Sequence, residues 1–190
     1  VELNEDGTLD EDMFEAHLAR DPKLVAFTHV SNALGTVNDV KHWTTRAHDV
    51  GATVLVDGAQ AVPHLAVDVR DLDADFYTFS GHKTYGPTGI GILYGKEALL
   101  DAMPPWRGGG EMIDTVSFEK GTTYNELPYK FEAGTPHISG GIALGASLDW
   151  MNEVGLAALT GHEHVLTLHA HEVLSEIDGL KIYGTAPCKA

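Results

Sequence analysis

A chain of 190 residues, 43% of them hydrophobic, is long enough to form one sizeable globular domain. It carries 12 basic and 28 acidic residues, a formal net charge of −16, which argues against nucleic acid and anionic membranes as partners. Cys188 is the one cysteine, the start shows no signal peptide and no apolar run matches a bilayer span, so we expect no internal disulfide and a cytoplasmic location.

The first half of the chain alternates apolar runs with helical stretches. Four buried strands are predicted by the runs KLVAFTHV (23–30), ATVLVD (52–57), ADFYTFS (74–80) and GIGILYG (89–95). After the first run, Asn38 or Asp39 can cap a helix, VKHWTTRAHDV, that ends at Gly51. AQAVPHLAV indicates a short helical or irregular segment, and KEALLDAM a helix. This alternation predicts an α/β fold with a parallel or mixed sheet covered by helices on both faces.

The second half begins with a stretch of different composition. Residues 104–137 are rich in Gly, Pro and aromatic residues with little periodicity, which is typical of functional or intermolecular segments. Helical patterns follow in HISGGIALGASLDWMNEVG and in LAALTGHEHVLTLHAHEVLSEI, and GLKIYG indicates the start of a further strand. The second helix is predicted to be amphipathic, with one apolar face formed by Leu159, Val165, Leu166, Val173, Leu174 and Ile177.

Polar side chains follow three of the predicted strands. Asn32 comes after the first, Asp57 ends the second, and the stretch Ser80-Gly81-His82-Lys83 follows the third. In open α/β sheets, ligands bind outside the carboxyl ends of the strands. If the sheet is parallel at this point, these residues meet in one crevice.

The chemistry of these residues points to pyridoxal 5′-phosphate (PLP). A carboxylate such as Asp57, at the end of an apolar strand, is costly unless it meets a cation, and a protonated pyridine nitrogen is such a cation. Lys83 can form a Schiff base with an aldehyde, and Ser80 and His82 can donate hydrogen bonds to a phosphate. Singly, each residue has a simpler interpretation: a solvated lysine, a helix cap or a turn residue. Their joint occurrence favours the cofactor site.

Two other features predict no site of their own. In the second helix, His162 and His169 are seven residues apart, as are His164 and His171, and the i,i+4 pair of a helical metal site is absent. We interpret these histidines as a solvated face and predict no metal site. The triple glycine at 108–110 follows no strand, so we interpret it as a flexible or interface loop.

Several stretches together resemble a known family. They are HVSNALGT, VLVDGAQAVPH, DFYTFSGHKTYGPTGIGILYG, WRGGGEMI and FEAGTPHISG, and they resemble the PLP-dependent cysteine desulfurases of the class-V aminotransferase superfamily. The resemblance extends over essentially the whole chain and is closest to the SUF-type branch, which also acts as selenocysteine lyase in iron–sulfur cluster assembly. It implies a homodimer and the large domain of PLP-dependent transferase fold type I, truncated at both ends. Residues 1–154 would belong to this domain, and 155–190 to a connecting helix and the start of a C-terminal small domain.

The resemblance also implies roles for individual residues. Lys83 matches the lysine that forms the Schiff base and later moves a proton. Asp57 matches the partner of the pyridine nitrogen, and Gln60 the group that hydrogen-bonds the phenolic oxygen of the ring. Asn32 matches a residue of the cofactor and substrate site.

The remaining implied contacts are to phosphate. Ser80 and His82 match the family's phosphate ligands, while Thr135, in EAGTP, matches a threonine that reaches the phosphate of the other subunit's cofactor. This would explain why residues 104–137 do not look like self-contained structure.

The family removes sulfur or selenium from L-cysteine or L-selenocysteine. An enzyme thiolate attacks the substrate sulfur, alanine is left, and the persulfide passes to an acceptor protein of the SUF system. The family's nucleophilic cysteine lies beyond residue 190, and the surroundings of Cys188, TAPCKA, do not match its loop. We therefore expect the fragment alone to be inactive as a desulfurase.

Two alternatives remain open at this point. One is another PLP enzyme of the same fold, a kynureninase-like lyase or an aminotransferase, against which GGGEMI argues. The other is a binding protein on the same scaffold that carries no cofactor. Colour on addition of PLP separates the second alternative from the enzymes.

Overall fold

A computed structural model describes residues 1–190 and contains one four-stranded sheet. Its strands lie side by side in chain order: β1 (Leu24–Thr28), β2 (Thr53–Asp57), β3 (Phe76–Ser80) and β4 (Gly91–Gly95). The first three are parallel, and β4 runs antiparallel to β3. The four predicted strands and the mixed, mostly parallel sheet are therefore confirmed, each strand being shorter than its apolar run.

Two helices precede the second strand, and each begins at an aspartate. The first, α1 (Glu11–Leu18), is absent from the sequence-based prediction; its cap Asp10 accepts a hydrogen bond from the Met13 N–H at 2.8 Å. In the predicted helix α2 (Val40–Asp49) the cap is Asp39 rather than Asn38, because the Asp39 carboxylate accepts from the third N–H of the helix at 3.0 Å. Gly51 ends this segment with a φ of +75°, a conformation that glycine adopts without strain.

The hydrophobic core lies on one face of the sheet. Phe14 of α1 meets Trp43 of α2 edge to face, with ring centroids 4.3 Å apart, above the buried β2 side chains. On the opposite face, helix α3 (Glu97–Ala102) approaches the sheet through Leu100, which lies beside Gly95. The rest of that face is open, with Leu24 55% and Leu93 58% exposed. Most of the buried core therefore lies on the face that α1 and α2 cover.

Asp75, just before β3, connects its own segment to α2, to β2 and to the residue before α3. Its nearly buried carboxylate accepts a hydrogen bond from the Val54 N–H at 2.7 Å and lies 2.9 Å from His48 Nε2 and 2.8 Å from Lys96 Nζ. Burial alone would raise the pKa of Asp75, but the hydrogen bonds from Lys96, His48 and the Val54 N–H together hold its pKa below the usual value. The carboxylate is therefore ionised and fully paired in the folded chain.

The stretch 104–137 contains a hairpin that the sequence does not predict. Strands β5 (Ile113–Ser117) and β6 (Gly121–Tyr124) pair antiparallel, with Phe118 fully exposed in the turn. The side chains of both strands are mostly exposed, so no alternation of buried and exposed positions marks them in the sequence.

Two long helices follow, α4 (Ile138–Val154) and α5 (Leu156–Ser175), and both were predicted. The apolar residues predicted to share one face of α5 are not buried in this chain, and Ile177 lies beyond the end of the helix. The strand expected in GLKIYG (179–184) is absent; the segment after α5 makes a single bridge, between Thr36 and Lys189. None of the helices is long and apolar enough to cross a membrane.

We predict that Asp75→Ala lowers the free energy of unfolding by about 2–3 kcal/mol, because it leaves the buried Val54 N–H without a partner and removes a buried charge from its pairs. The control Asp71→Ala removes an exposed ion pair with Lys41 and should cost less than about 1 kcal/mol. Urea unfolding measures both.

The same comparison has a defined pH dependence. Since the folded pKa of Asp75 is depressed, its stabilisation is present above the ordinary aspartate pKa of about 3.9 and is lost as the pH falls through the folded pKa. The difference between the parent chain and Asp75→Ala should therefore be full at about pH 5 and shrink below about pH 4. A difference that stays constant down to about pH 3 would contradict this assignment.

Candidate functional site

The register of the parallel strands brings three strand ends together. Thr28, Asp57 and Thr78 lie side by side on β1, β2 and β3. The ladder continues past them, because the His29 N–H donates to the Asp57 carbonyl and the Gly58 N–H to the Thr78 carbonyl, both at 2.8 Å. The segments that carry the predicted site residues therefore leave the sheet from one edge.

Two predicted site residues from different loops are in contact. The Gln60 side-chain amide donates a hydrogen bond to Asn32 Oδ1. The loop that carries Asn32 is closed by a bond of 2.9 Å from the Ser31 N–H to the Thr36 carbonyl. The structure thus joins the loop after β1 to the loop after β2 through this pair.

The Asp57 carboxylate is exposed at the end of its strand. Its Oδ1 accepts a hydrogen bond from the Ala59 N–H at 2.9 Å, which fixes the side chain in a local turn. No lysine, arginine or histidine pairs with it, since the ion pairs of the chain involve other carboxylates. A charged oxygen at this edge is therefore free to meet a cationic ligand.

Lys83 lies in a tight turn directly after β3. Residues Gly81–Lys83 form a single 3₁₀ turn, in which the Gly81 carbonyl accepts from the N–H groups of Thr84 and Gly86, both at 2.9 Å. The fully buried Thr84 donates its hydroxyl hydrogen to the Ser80 carbonyl at 3.1 Å. Lys83 itself is half-buried and takes no part in the chain's ion pairs. The backbone of this turn is therefore held by hydrogen bonds, and the Lys83 amine has no carboxylate partner.

Thr135 is the one predicted site residue that is neither at nor directly after the end of a parallel strand, and no hydrogen bond joins it to the other six. Its loop is connected to the triple-glycine stretch instead, because the Gly134 N–H donates to the Gly110 carbonyl at 2.9 Å. The other six lie at the ends of β1, β2 and β3 or on the segments that follow them: Asn32, Asp57, Gln60, Ser80, His82 and Lys83.

A buried pair beside Asp57 is a feature that sequence reasoning missed. His29 Nδ1 and Tyr77 Oη are 2.9 Å apart, and both residues are buried. Burial lowers the pKa of His29, while burial and the charge of Asp57 raise the pKa of Tyr77, so both groups are neutral at pH 7. The Tyr77 ring also lies over Gly58, where an added Cβ would come within 2.0 Å of it. The available signal was one polar ring in each of the first and third apolar runs.

The arrangement fits a ligand with three distinct groups. The unpaired Asp57 carboxylate suits a protonated ring nitrogen, and the Lys83 amine suits an aldehyde carbon. The Ser80 hydroxyl and the His82 imidazole, on the same turn as the amine, can donate to a phosphate. The amide of Gln60 can hydrogen-bond an oxygen on the ring.

The whole chain is similar to proteins of one known family. A family model described as aminotransferase class-V matches residues 1–190. A cysteine desulfurase of Dickeya dadantii is 54% identical over 182 residues, which are 96% of this chain and 44% of that protein. The chain thus spans less than half the length of this relative.

Solved structures are similar in the same way. The cysteine desulfurase CsdA from Escherichia coli superposes with a TM-score of 0.88 and 42% identity, over 93% of this chain and 44% of that one. A C-DES mutant with glycine covalently linked to its PLP cofactor has a TM-score of 0.79 and 24% identity, over 90% of this chain and 46% of that one. The second likeness concerns the fold alone.

We predict that Gly58→Ala destabilises the chain by about 2 kcal/mol or more, because the new methyl group overlaps the Tyr77 ring and must displace it. The near-ultraviolet circular dichroism of the tyrosines should change at the same time, since the bond between Tyr77 and His29 is disturbed. The control is Gly108→Ala, where an added Cβ meets nothing within 4 Å and the cost should stay within about 0.5 kcal/mol. Equal stabilities of the two variants would refute the close approach.

Proposed function

We propose that this chain, which belongs to the aminotransferase class-V family, is the PLP-binding core of a cysteine desulfurase. The observation that carries the proposal is the placement of Asp57 and Lys83 at the ends of adjacent parallel strands, each without an ion-pair partner. In a chain with 28 acidic and 12 basic residues, a half-buried lysine without a carboxylate partner calls for an explanation. A bound aldehyde supplies one.

PLP, when bound, withdraws electrons from the substrate so that the Cα proton can be removed. The residues of this chain hold and orient it. Asp57 keeps a proton on the ring nitrogen by its negative charge, and its own bond to the Ala59 N–H fixes its direction. Gln60, oriented by Asn32, donates to the ring's phenolic oxygen.

Lys83 has two proposed tasks. Its amine holds the cofactor covalently, and once displaced by substrate it carries a proton to or from the substrate carbon. Both tasks need an amine that moves on a fixed backbone, and the turn closed by the Gly81 carbonyl and the Thr84 hydroxyl supplies that backbone. Ser80 and His82 are the proposed donors to the phosphate.

The sulfur step is proposed for the longer protein. L-Cysteine is the proposed substrate and L-selenocysteine a second one, with alanine as the product. An enzyme thiolate takes the sulfur and passes it to an acceptor protein for iron–sulfur cluster assembly in the cytoplasm. We assign this thiolate to a segment beyond residue 190 rather than to Cys188. The Cys188 backbone carbonyl accepts a hydrogen bond of 3.0 Å from the N–H of Val37, a residue of the loop that follows β1. The 190 residues alone would then bind cofactor without desulfurating cysteine.

A homodimer is part of the proposal. No hydrogen bond joins Thr135 to Ser80 or His82, the other proposed phosphate ligands, and we assign it to the cofactor of the partner subunit. We also propose that residues 1–154 belong to the large PLP-binding domain and that 155–190 lead into the small one.

We predict that PLP attaches to Lys83. The protein is mixed with PLP, reduced with borohydride to make the link permanent, digested and mapped by mass spectrometry. The pyridoxyl group should be confined to the peptide that contains Lys83 and absent from Lys83→Ala. The exposed Lys23→Ala is the matched control and should label like the parent. Equal labelling of several surface lysines, unaffected by Lys83→Ala, would rule the site out.

We further predict that Asp57→Asn lowers alanine formation from L-cysteine by at least about 100-fold in the full-length protein, because the amide keeps the local turn but has no charge to hold the ring proton. Asp68→Asn is a close control, since Asp68 Oδ1 accepts from the Arg70 N–H at 2.9 Å in the same kind of turn away from the site. Its activity should equal that of the parent. Comparable losses in the two variants would contradict a specific role for Asp57.

A further inference from the structure

We propose that His64 and Glu163 are positioning residues, which hold the loop that follows Asp57 and carries Gln60 against helix α5. This inference rests on the proposed function, because it assigns the pair a role in orienting the cofactor's contacts. Neither side chain is among the groups proposed to touch the cofactor. Both act through the backbone that lies between His64 and Gln60.

The contact consists of three hydrogen-bonding approaches across a long sequence separation. His64 Nδ1 lies 2.9 and 3.0 Å from the two carboxylate oxygens of Glu163. One helical turn earlier, the Thr160 hydroxyl donates to the His64 carbonyl at 2.5 Å. Side chain and backbone of the same residue are therefore both held by α5. The two partly shielded side chains, 29% and 32% exposed, form a stronger pair than a fully solvated one.

The loop transmits this restraint because it is a pair of consecutive turns. The N–H groups of Ala61 and Val62 donate to the Gly58 carbonyl at 2.9 and 3.1 Å, and those of His64 and Leu65 donate to the Ala61 carbonyl at 2.9 and 2.7 Å. Ala61 is fully buried between them. Residues 58–65 therefore move as one unit, and fixing His64 also fixes Gln60.

Helix α5 needs such a contact. None of its residues is buried, so core packing does not set its distance from the sheet edge. The bonds to His64 are its hydrogen bonds to the loop that follows β2. Because these hydrogen bonds link the two, a shift of α5 would also shift the loop that follows β2.

The segment after α5 restrains the other proposed cofactor loop. The Ala190 N–H donates to the Gly35 carbonyl at 3.1 Å, in the loop that contains Asn32. Lys189 and His64 line a common cavity of about 90 Å³ together with Glu163. Residues 156–190 thus hold both halves of the Asn32–Gln60 pair, one through the terminal segment and the other through His64.

The first test is hydrogen exchange of the full-length protein without cofactor, measured at the amides of Ala61, Val62, His64 and Leu65. Glu163→Ala should speed their exchange about fivefold, the effect of losing one hydrogen bond of ordinary strength. Glu163→Gln, which can still accept from the His64 ring, should stay within about twofold of the parent. The matched control is Glu172→Ala, an exposed position on the same helix, where no change is expected.

A double-mutant cycle makes the result independent of any general loosening of the fold. If His64 and Glu163 act as a pair, His64→Ala combined with Glu163→Ala should exchange no faster than either single variant. Additive increases would overturn the pairing. So would parent-like exchange in Glu163→Ala, or an equal increase in Glu172→Ala.

The second test uses the full-length protein with PLP and reads the cofactor's visible absorption band at a fixed pH. Glu163→Ala should shift this band, because Gln60 loses its fixed direction toward the ring oxygen, and Glu163→Gln should restore it. Faster exchange with an unchanged band would reduce the pair to a structural contact and overturn its positioning role. A failure of the proposed function would give a different result, namely no labelling of Lys83 by PLP. The exchange results would still decide whether α5 holds the loop.

Discussion

The parallel register of β1, β2 and β3 is the constraint on which the candidate site depends. Val56 is fully buried and Asp57, the next residue, is exposed at the strand end. A slip of one residue would exchange their faces and drive a carboxylate into the core, a change that costs several kcal/mol. The register is reinforced where β1 and β3 flank Asp57, because His29 and Tyr77 join across β2. The same strand register is thus required both to pack the core and to place the site residues.

The sequence predicts features that local chemistry determines. Apolar runs locate all four strands of the main sheet, and helix α2 follows from its cap and from Gly51. The common edge of Asn32, Asp57 and Lys83 follows from the rule that parallel strands end together. Contacts between distant segments were not predictable in this way: no periodicity links His64 to Glu163 across 99 positions. The hairpin β5–β6 was not predicted for a different reason: its side chains are mostly exposed, so the sequence shows no alternation of apolar and polar residues there.

Several large apolar side chains between residues 104 and 142 are exposed. Trp106 is 85% exposed, Phe118 is fully exposed and Ile142 on α4 is 72% exposed. A chain does not ordinarily leave several such large apolar groups to solvent unless other protein surface covers them. Under the proposed homodimer these residues and Thr135 would face the partner, which would explain the irregular composition of 104–137.

The charge of the chain constrains how it can bind an anionic cofactor. A phosphate carries close to two negative charges at neutral pH, and the protein around it has a net charge of −16. Repulsion from distant carboxylates is screened within about 8 Å at physiological ionic strength, so binding depends on groups in direct contact with the ligand. Such contacts are effective only if the donors are held in place before the ligand arrives. The buried Thr84 that braces the Lys83 turn, the bond between Gln60 and Asn32 and the attachment of His64 to α5 all restrict motion at this one edge. An acidic chain of this kind has to fix its few suitable donors in position because long-range attraction gives it no help.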